Sequence, residues 1–158
     1  MRSVDLGLIP KISQTFTREE SLEMFKKICL CRSFERNAAK AYDDKLVPGF
    51  PVYLSLGQEA ISAGLSLVLP KSIKRFAQHR CHDIYICWGG NIRSLRDELL
   101  GLPSGCAKGM GGSASAHSPE TGLFGHDGHL GTQIPIACGY ALRKKQITLA
   151  IGGDAAFE

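Results

Sequence analysis

No stretch of this chain approaches the roughly 20 apolar residues that a membrane-spanning helix needs. Its opening residues, Met1-Arg-Ser-Val-Asp-Leu-Gly7, lack the apolar run of a secretory leader. None of the six cysteines (Cys29, Cys31, Cys81, Cys87, Cys106, Cys138) falls into a C-x-x-C pair. Without a leader or paired spacing the thiols read as reduced and buried, which assigns the chain to the cytoplasm rather than to a disulfide-bonded secreted class. Charge of one sign is scarce: 19 basic residues stand against 15 acidic ones, dispersed, for a net charge of +4. No basic run interleaves with aromatics, so nucleic acid is not an expected partner, and neither is a membrane. The phosphate-loop pattern G-x-x-x-x-G-K-[ST] is absent, as is G-x-G-x-x-G after a strand. There is no internal repeat and no low-complexity segment.

What is present suits one globular domain: 158 residues, 44% hydrophobic and 22% charged. Residues 1–16 carry no strong period and read as an arm, leaving 17–158 as the domain. Thr17-Arg-Glu-Glu20 has capping-box spacing. Leu22, Phe25, Cys29, Phe34, Ala38, Ala41 and Tyr42 then recur at helical intervals, predicting a helix of about 25 residues that breaks at Lys45-Leu-Val-Pro-Gly49. Ala60, Ile61, Gly64, Leu65 and Val68 predict a second helix over 58–69, stopped by Pro70. Residues 73–77 read as a short strand and 84–88 as helix, and Ser94 reads as the cap of a short helix through Leu100. No element is predicted between 101 and 131. Residues 132–142 read as a buried helix with Pro135 in its first turn and Arg143-Lys-Lys145 at its negative pole. The apolar 147–151 reads as a central parallel strand.

The chemistry concentrates in 101–154. Gly101-Leu-Pro-Ser-Gly-Cys-Ala-Lys-Gly-Met-Gly-Gly-Ser113 and Gly125-His-Asp-Gly-His-Leu-Gly131 carry glycine at a density that weakens regular structure. Such density serves backbone conformations closed to other residues, or a ligand lying against bare main chain, so the stretch reads as a loop-built cofactor site. Gly152-Gly153-Asp154 follows the last strand, at the sheet edge where α/β proteins hold ligands and their metal ions. Asp154 offers the oxygen chemistry that Mg²⁺ prefers, its competing use being a helix N-cap. Arg80, between two histidines, suits a phosphate or carboxylate, which a guanidinium grips with two donors. His79-x-x-His82 and His126-x-x-His129 invite a zinc reading. No cysteine or carboxylate spacing completes a tetrahedral set, so these read as loop histidines.

Six segments, in order, carry a resemblance: Ser55-Leu-Gly-Gln-Glu-Ala60, Gln78-His-Arg-Cys-His82, Asp97-Glu-Leu-Leu-Gly101, Gly105-Cys-Ala-Lys-Gly-Met-Gly-Gly-Ser113, Gly128-His-Leu-Gly-Thr-Gln-Ile-Pro135 and Gly153-Asp-Ala-Ala156. Together they resemble the α subunit of the thiamine diphosphate-dependent 2-oxo acid dehydrogenases, which include the pyruvate, branched-chain and acetoin enzymes. The likeness implies an α/β thiamine diphosphate-binding fold, a parallel sheet flanked by helices, with this chain supplying the diphosphate-binding half. It implies thiamine diphosphate and Mg²⁺ as cofactors, with Asp154 as metal ligand. Arg80 and His79 would meet the diphosphate, His79 standing where the family often has Tyr. Gly128 and Leu130 would hold the aminopyrimidine and the bent cofactor. Ala155 ends a Gly-Asp-Ala version of the family's Gly-Asp-Gly motif. On the catalytic side the likeness points to Tyr53, where pyruvate-specific members place a substrate-contacting His, to His117 after Gly-Gly-Ser, and to His82.

The implied function is decarboxylation of a 2-oxo acid and transfer of the acyl group to a lipoyl carrier. The implied partners are a β subunit and a lipoyl acyltransferase component. The family's second metal ligand, an Asn, and a later active-site loop would fall beyond Glu158, so the chain is expected to be an N-terminal portion, inactive alone. Two alternatives stand beside this reading: an acetoin-type dehydrogenase subunit, consistent with Tyr53, and a non-catalytic partner-binding subunit or fragment.

Overall fold

The computed structural model describes residues 16–49, 51–125 and 128–157. The expected arm, 1–16, therefore lies outside the described residues except for Phe16. Helix α1 (Arg18–Asp43) starts where the capping box predicts. Thr17 Oγ1 accepts the Glu20 N–H at 3.1 Å, and Glu20 Oε2 accepts the Thr17 N–H at 2.9 Å. Two donors that have no partner inside the helix are thereby satisfied.

Helix α2 (Glu59–Val68) packs across α1 and is fixed to it by one ion pair. Arg32 Nε and Nη2 donate to Glu59 Oε1 and Oε2 at 2.5 and 2.9 Å, and the Gly57 N–H adds a third bond at 3.1 Å. These bonds, Arg32's above all, hold the buried Glu59 carboxyl down to about 2 against the opposing pull of burial. A carboxyl lowered from its ordinary 4.5 stabilises the fold fully above that value, and the contribution is lost as pH falls through about 2. Glu59→Gln should therefore flatten the acid limb of the melting temperature between those two pH values. Equal slopes for variant and parent over that window would refute the assignment.

Strands β1 (Lys74–Ala77), β2 (Leu123–Phe124) and β3 (Thr148–Ile151) form a parallel sheet in the order β2-β1-β3. Arg75 aligns with Leu123 on one side and with Leu149 on the other. Between β1 and β2 run α3 (His82–Cys87) and α4 (Ile92–Leu99); α5 (Gln133–Lys144) joins β2 to β3. The predicted α/β class, a parallel sheet flanked by helices, is the one the chain adopts. The chain leaves β1, returns beside it as β2, then crosses to the opposite side as β3. That reversal opens a crevice at the carboxyl ends of β1 and β3, which is where the site falls.

Several local expectations change. Asn91, not Ser94, caps α4: its Oδ1 accepts the N–H groups of Arg93 and Ser94 at 2.9 and 3.3 Å. Strand β2 lies within the stretch where no element was predicted, because two residues carry no readable period. Among the described residues β1 is the central strand and β3 an edge, half-buried throughout. The α5 helix is not buried: only Gln133 and Ala137 are, while Ile136 and Leu142 are 49% and 83% exposed. All six cysteines are free, but Cys29 and Cys138 are exposed, so burial of the thiols holds only in part. Of the buried ones, Cys81 is pushed up to about 12 by desolvation, which keeps it an inert thiol. Among the described residues no helix is long and apolar enough to cross a membrane.

Candidate active site

Strand β1 is followed by Gln78-His79-Arg80 and β3 by Gly152-Gly153-Asp154, side by side because Ala77 pairs with Ile151. Two buried glutamines hold the ends together. Gln78 Oε1 accepts the Gly153 N–H at 2.9 Å and Gln133 Nε2 at 3.3 Å, and Gln133 Nε2 also donates to Ile151 O at 3.2 Å. A β-carbon on Gly152 would lie 2.9 Å from Gln133 Nε2, so glycine lets the bracket close over the strand end.

Beyond this bracket is a cleft of about 270 Å³, walled among others by His79, Arg80, Asp83, Leu130, Gly152 and Asp154. Asp154 is the first residue of a short 3-10 turn whose N-cap is Gly153, so its carboxylate is not spent on capping. It is exposed at the cleft, and no side-chain hydrogen bond ties it to the described residues. Arg80 is exposed as well and gives one donor, Nη1, to Leu54 O at 2.7 Å. A guanidinium has five N–H donors, so most remain for an anion. On the inner wall, Asp83 Oδ2 accepts the Ser62 hydroxyl at 2.7 Å. Burial pushes the Asp83 carboxyl above the usual carboxylate range, with that hydrogen bond opposing.

The cleft thus unites residues from three separate parts of the chain: His79, Arg80, Leu130, Asp154 and Ala155 all line it. Gly128, exposed and at φ +108°, lies in the loop that delivers Leu130 rather than in the wall itself. Tyr53 sits behind His79, ring centroids 4.6 Å apart. His117 is exposed, its ring set edge-on to Phe124 at 5.4 Å, and is not part of the wall. His82 is wholly buried, with Nδ1 at 3.1 Å from Glu35 Oε1 and Nε2 at 3.0 Å from Ser113 Oγ. Both ring nitrogens of His82 thus face core partners, and it is not part of the cleft wall. Of the two histidine pairs weighed for zinc, His126 lies outside the described residues, and among those described no group of three or more His, Cys, Asp and Glu side chains fit to hold a metal comes together.

The glycine run 101–113 has a different use from the one expected. Rather than lining the cleft, it closes around the buried carboxylate of Glu98. Glu98 Oε2 accepts the N–H groups of Ala107 and Gly109 at 2.6 and 2.9 Å, and Oε1 those of Gly111 and Gly112 at 2.7 and 3.1 Å. Gln78, Glu98 and Gln133 stand inside segments that carry the resemblance, but neither they nor Asp83 were given a role from the sequence. Their roles come from partners distant in the chain, which local pattern does not mark. A larger groove of about 490 Å³ between α1 and α4 is walled by residues such as Leu30, Phe34, Val47 and Leu99. No carboxylate, histidine or thiol lines it, so it offers no acid–base or metal chemistry.

Comparison with known proteins identifies the family. The family described as "Dehydrogenase E1 component" matches residues 26–158. The chain belongs to that family. It is 34% identical over 152 residues to the mitochondrial pyruvate dehydrogenase E1 component subunit alpha-1 of Arabidopsis thaliana, covering 93% of this chain and 39% of the relative. The testis-specific mitochondrial alpha subunit of Rattus norvegicus is 34% identical over 164 residues, covering 99% and 41%. The mitochondrial alpha subunit of Chaetomium thermophilum is 32% identical over 152 residues, covering 93% and 36%. The chain therefore spans about two-fifths of the length of the relatives it matches. These relatives are mitochondrial, which overturns the cytoplasmic assignment made from cysteine usage and the missing leader. Reduced thiols distinguish secreted proteins from intracellular ones but do not separate one intracellular compartment from another.

Proposed function

We propose that the protein is the α-type subunit of a mitochondrial thiamine diphosphate-dependent 2-oxo acid dehydrogenase, with this chain forming the diphosphate and metal half of the site. The observation that carries the reading is the meeting of Arg80, Asp154 and the bare Gly152-Gly153 backbone in one cleft. The residues fit the group. Magnesium asks for one or two carboxylates beside phosphate oxygens and water, and Asp154 is an exposed carboxylate without a structural duty. Arg80 would grip the diphosphate, His79 would lie beside it, and Leu130 and the Gly128 loop would support the ring portion. When bound, thiamine diphosphate supplies the carbanion and the electron sink that decarboxylation of a 2-oxo acid requires.

A β subunit as partner is supported by exposed apolar side chains on α5 and just before β3, where Ile136, Leu142 and Ile147 are 49%, 83% and 47% exposed. The acyl acceptor would be a lipoyl group on an acyltransferase. Pyruvate is the first 2-oxo acid to test, because it appears in the names of the relatives.

Calorimetric titration of the protein with its partner subunit, using thiamine diphosphate with and without Mg²⁺, tests the reading. Binding should depend on magnesium and should vanish in Asp154→Ala. Arg80→Ala should weaken it about 10–100-fold, the worth of hydrogen bonds to a charged group. Magnesium-independent binding, or an Asp154→Ala variant that binds like the parent, would reject the assignment. Release of CO₂ from pyruvate would separate the 2-oxo acid reading from an acetoin-type cleavage.

A further inference from the structure

Residues 53–55 run between α1, the turn after β1 and the glycine-rich loop, and each of the three is tied down. The Tyr53 N–H donates to Ser113 Oγ at 2.7 Å. Leu54 O accepts Arg80 Nη1 at 2.7 Å, and the Ser55 N–H donates to Glu35 Oε1 at 3.1 Å. His82 joins the outer two anchors, its Nδ1 lying 3.1 and 3.2 Å from the Glu35 oxygens and its Nε2 3.0 Å from Ser113 Oγ. Glu35 and His82 are 0% exposed and Ser113 is 3% exposed.

One proton arrangement satisfies every contact. Tyr53 N–H donates into Ser113 Oγ, the Ser113 hydroxyl into His82 Nε2, and His82 Nδ1–H into Glu35, which also receives the Ser55 N–H. The order Ser–His–Glu resembles a nucleophile with its base, but burial of Ser113 and the Tyr53 N–H on its oxygen keep it from any substrate. Its effect reaches the cleft by another route. The Tyr53 ring packs on His79, Leu54 O holds Arg80, and both His79 and Arg80 line the cleft.

We propose that Glu35, His82 and Ser113 are positioning residues: they fix the backbone of 53–55, and that backbone sets the directions of His79 and Arg80 toward a bound diphosphate. The proposal rests on the reading of the cleft as a thiamine diphosphate site. A fully satisfied buried polar chain specifies one arrangement of the groups it joins. A purely structural chain would affect only stability, and the test separates the two.

Ser113→Ala removes a single oxygen and with it the link between His82 and Tyr53. Fluorine NMR of the fluorotyrosine-labelled protein with its partner subunit reads the Tyr53 ring, assigned with Tyr53→Phe. In Ser113→Ala the Tyr53 resonance should move toward its position in His79→Ala. Calorimetry should show the dissociation constant for thiamine diphosphate with Mg²⁺ rising about tenfold, the lower end of what supporting partners of a bound group contribute. An unmoved resonance overturns the proposal, and so does a moved resonance with unchanged affinity. If the parent fails to bind thiamine diphosphate at all, the cofactor reading fails, and the Tyr53 resonance still decides whether Ser113 positions 53–55. Should Ser113→Ala not fold, His82→Gln reads the same two quantities.

Discussion

Glu98→Gln should destabilise the protein by about 3–5 kcal/mol, a fall in Tm on the order of 10 °C, given the cost of breaking a buried charged network and the response of a domain this size. The magnitude follows from what the carboxylate does. Four backbone N–H groups, from Ala107, Gly109, Gly111 and Gly112, converge on its two oxygens, and the side chain has no exposure. An amide keeps one acceptor oxygen and turns an NH₂ donor toward N–H groups, so about half the bonds become repulsive contacts. Thermal melting gives the total, and hydrogen exchange over 105–113 should show the loss concentrated in the loop. A variant melting within a degree or two of the parent would show that the loop holds its shape without the charge.

The same loop should respond very differently to alanine at two of its glycines. Gly109 has φ +76°, and a β-carbon there would fall 2.5 Å from Gly101 C, 2.6 Å from Gly101 O and 2.8 Å from Leu102 O. Those are backbone atoms, which cannot swing aside as a side chain could. Gly109→Ala adds overpacking to the left-handed penalty and should cost about 3–5 kcal/mol or prevent folding. Gly112 has φ +55° but open space around its β-position, so Gly112→Ala should cost only about 1–2 kcal/mol. Denaturant midpoints of the two variants test the contrast. Equal losses would mean that backbone conformation alone, not close approach, requires glycine in this loop.

Much of the architecture could be read from short-range pattern. The capping box at Thr17, the helical spacing along α1 and the apolar run before Gly152 each declare themselves within a few residues, because capping and amphipathic periodicity are local. The order of motifs along the chain pointed to the family, and Asp154 at the tip of a strand was recognisable because strand ends in parallel sheets gather ligands. The errors share a cause. Ser94 and Asn91 both have capping chemistry, and only the backbone path shows which residue opens the helix. Exposure of α5 was illegible because an apolar helix reads alike whether its cover is this domain or a neighbouring surface.

What the sequence by itself determined is the set of parts: an α/β chain of this family, with an arginine after one strand and an aspartate after another. Tertiary structure alone decided how those parts are used. It turned His82 inward to Glu35 and Ser113, placed His117 away from the cleft, and wrapped the glycine run around Glu98 instead of a ligand. A bare-backbone loop donates hydrogen bonds to whichever anion the fold brings to it. That choice depends on contacts between distant residues, and residue type does not record them.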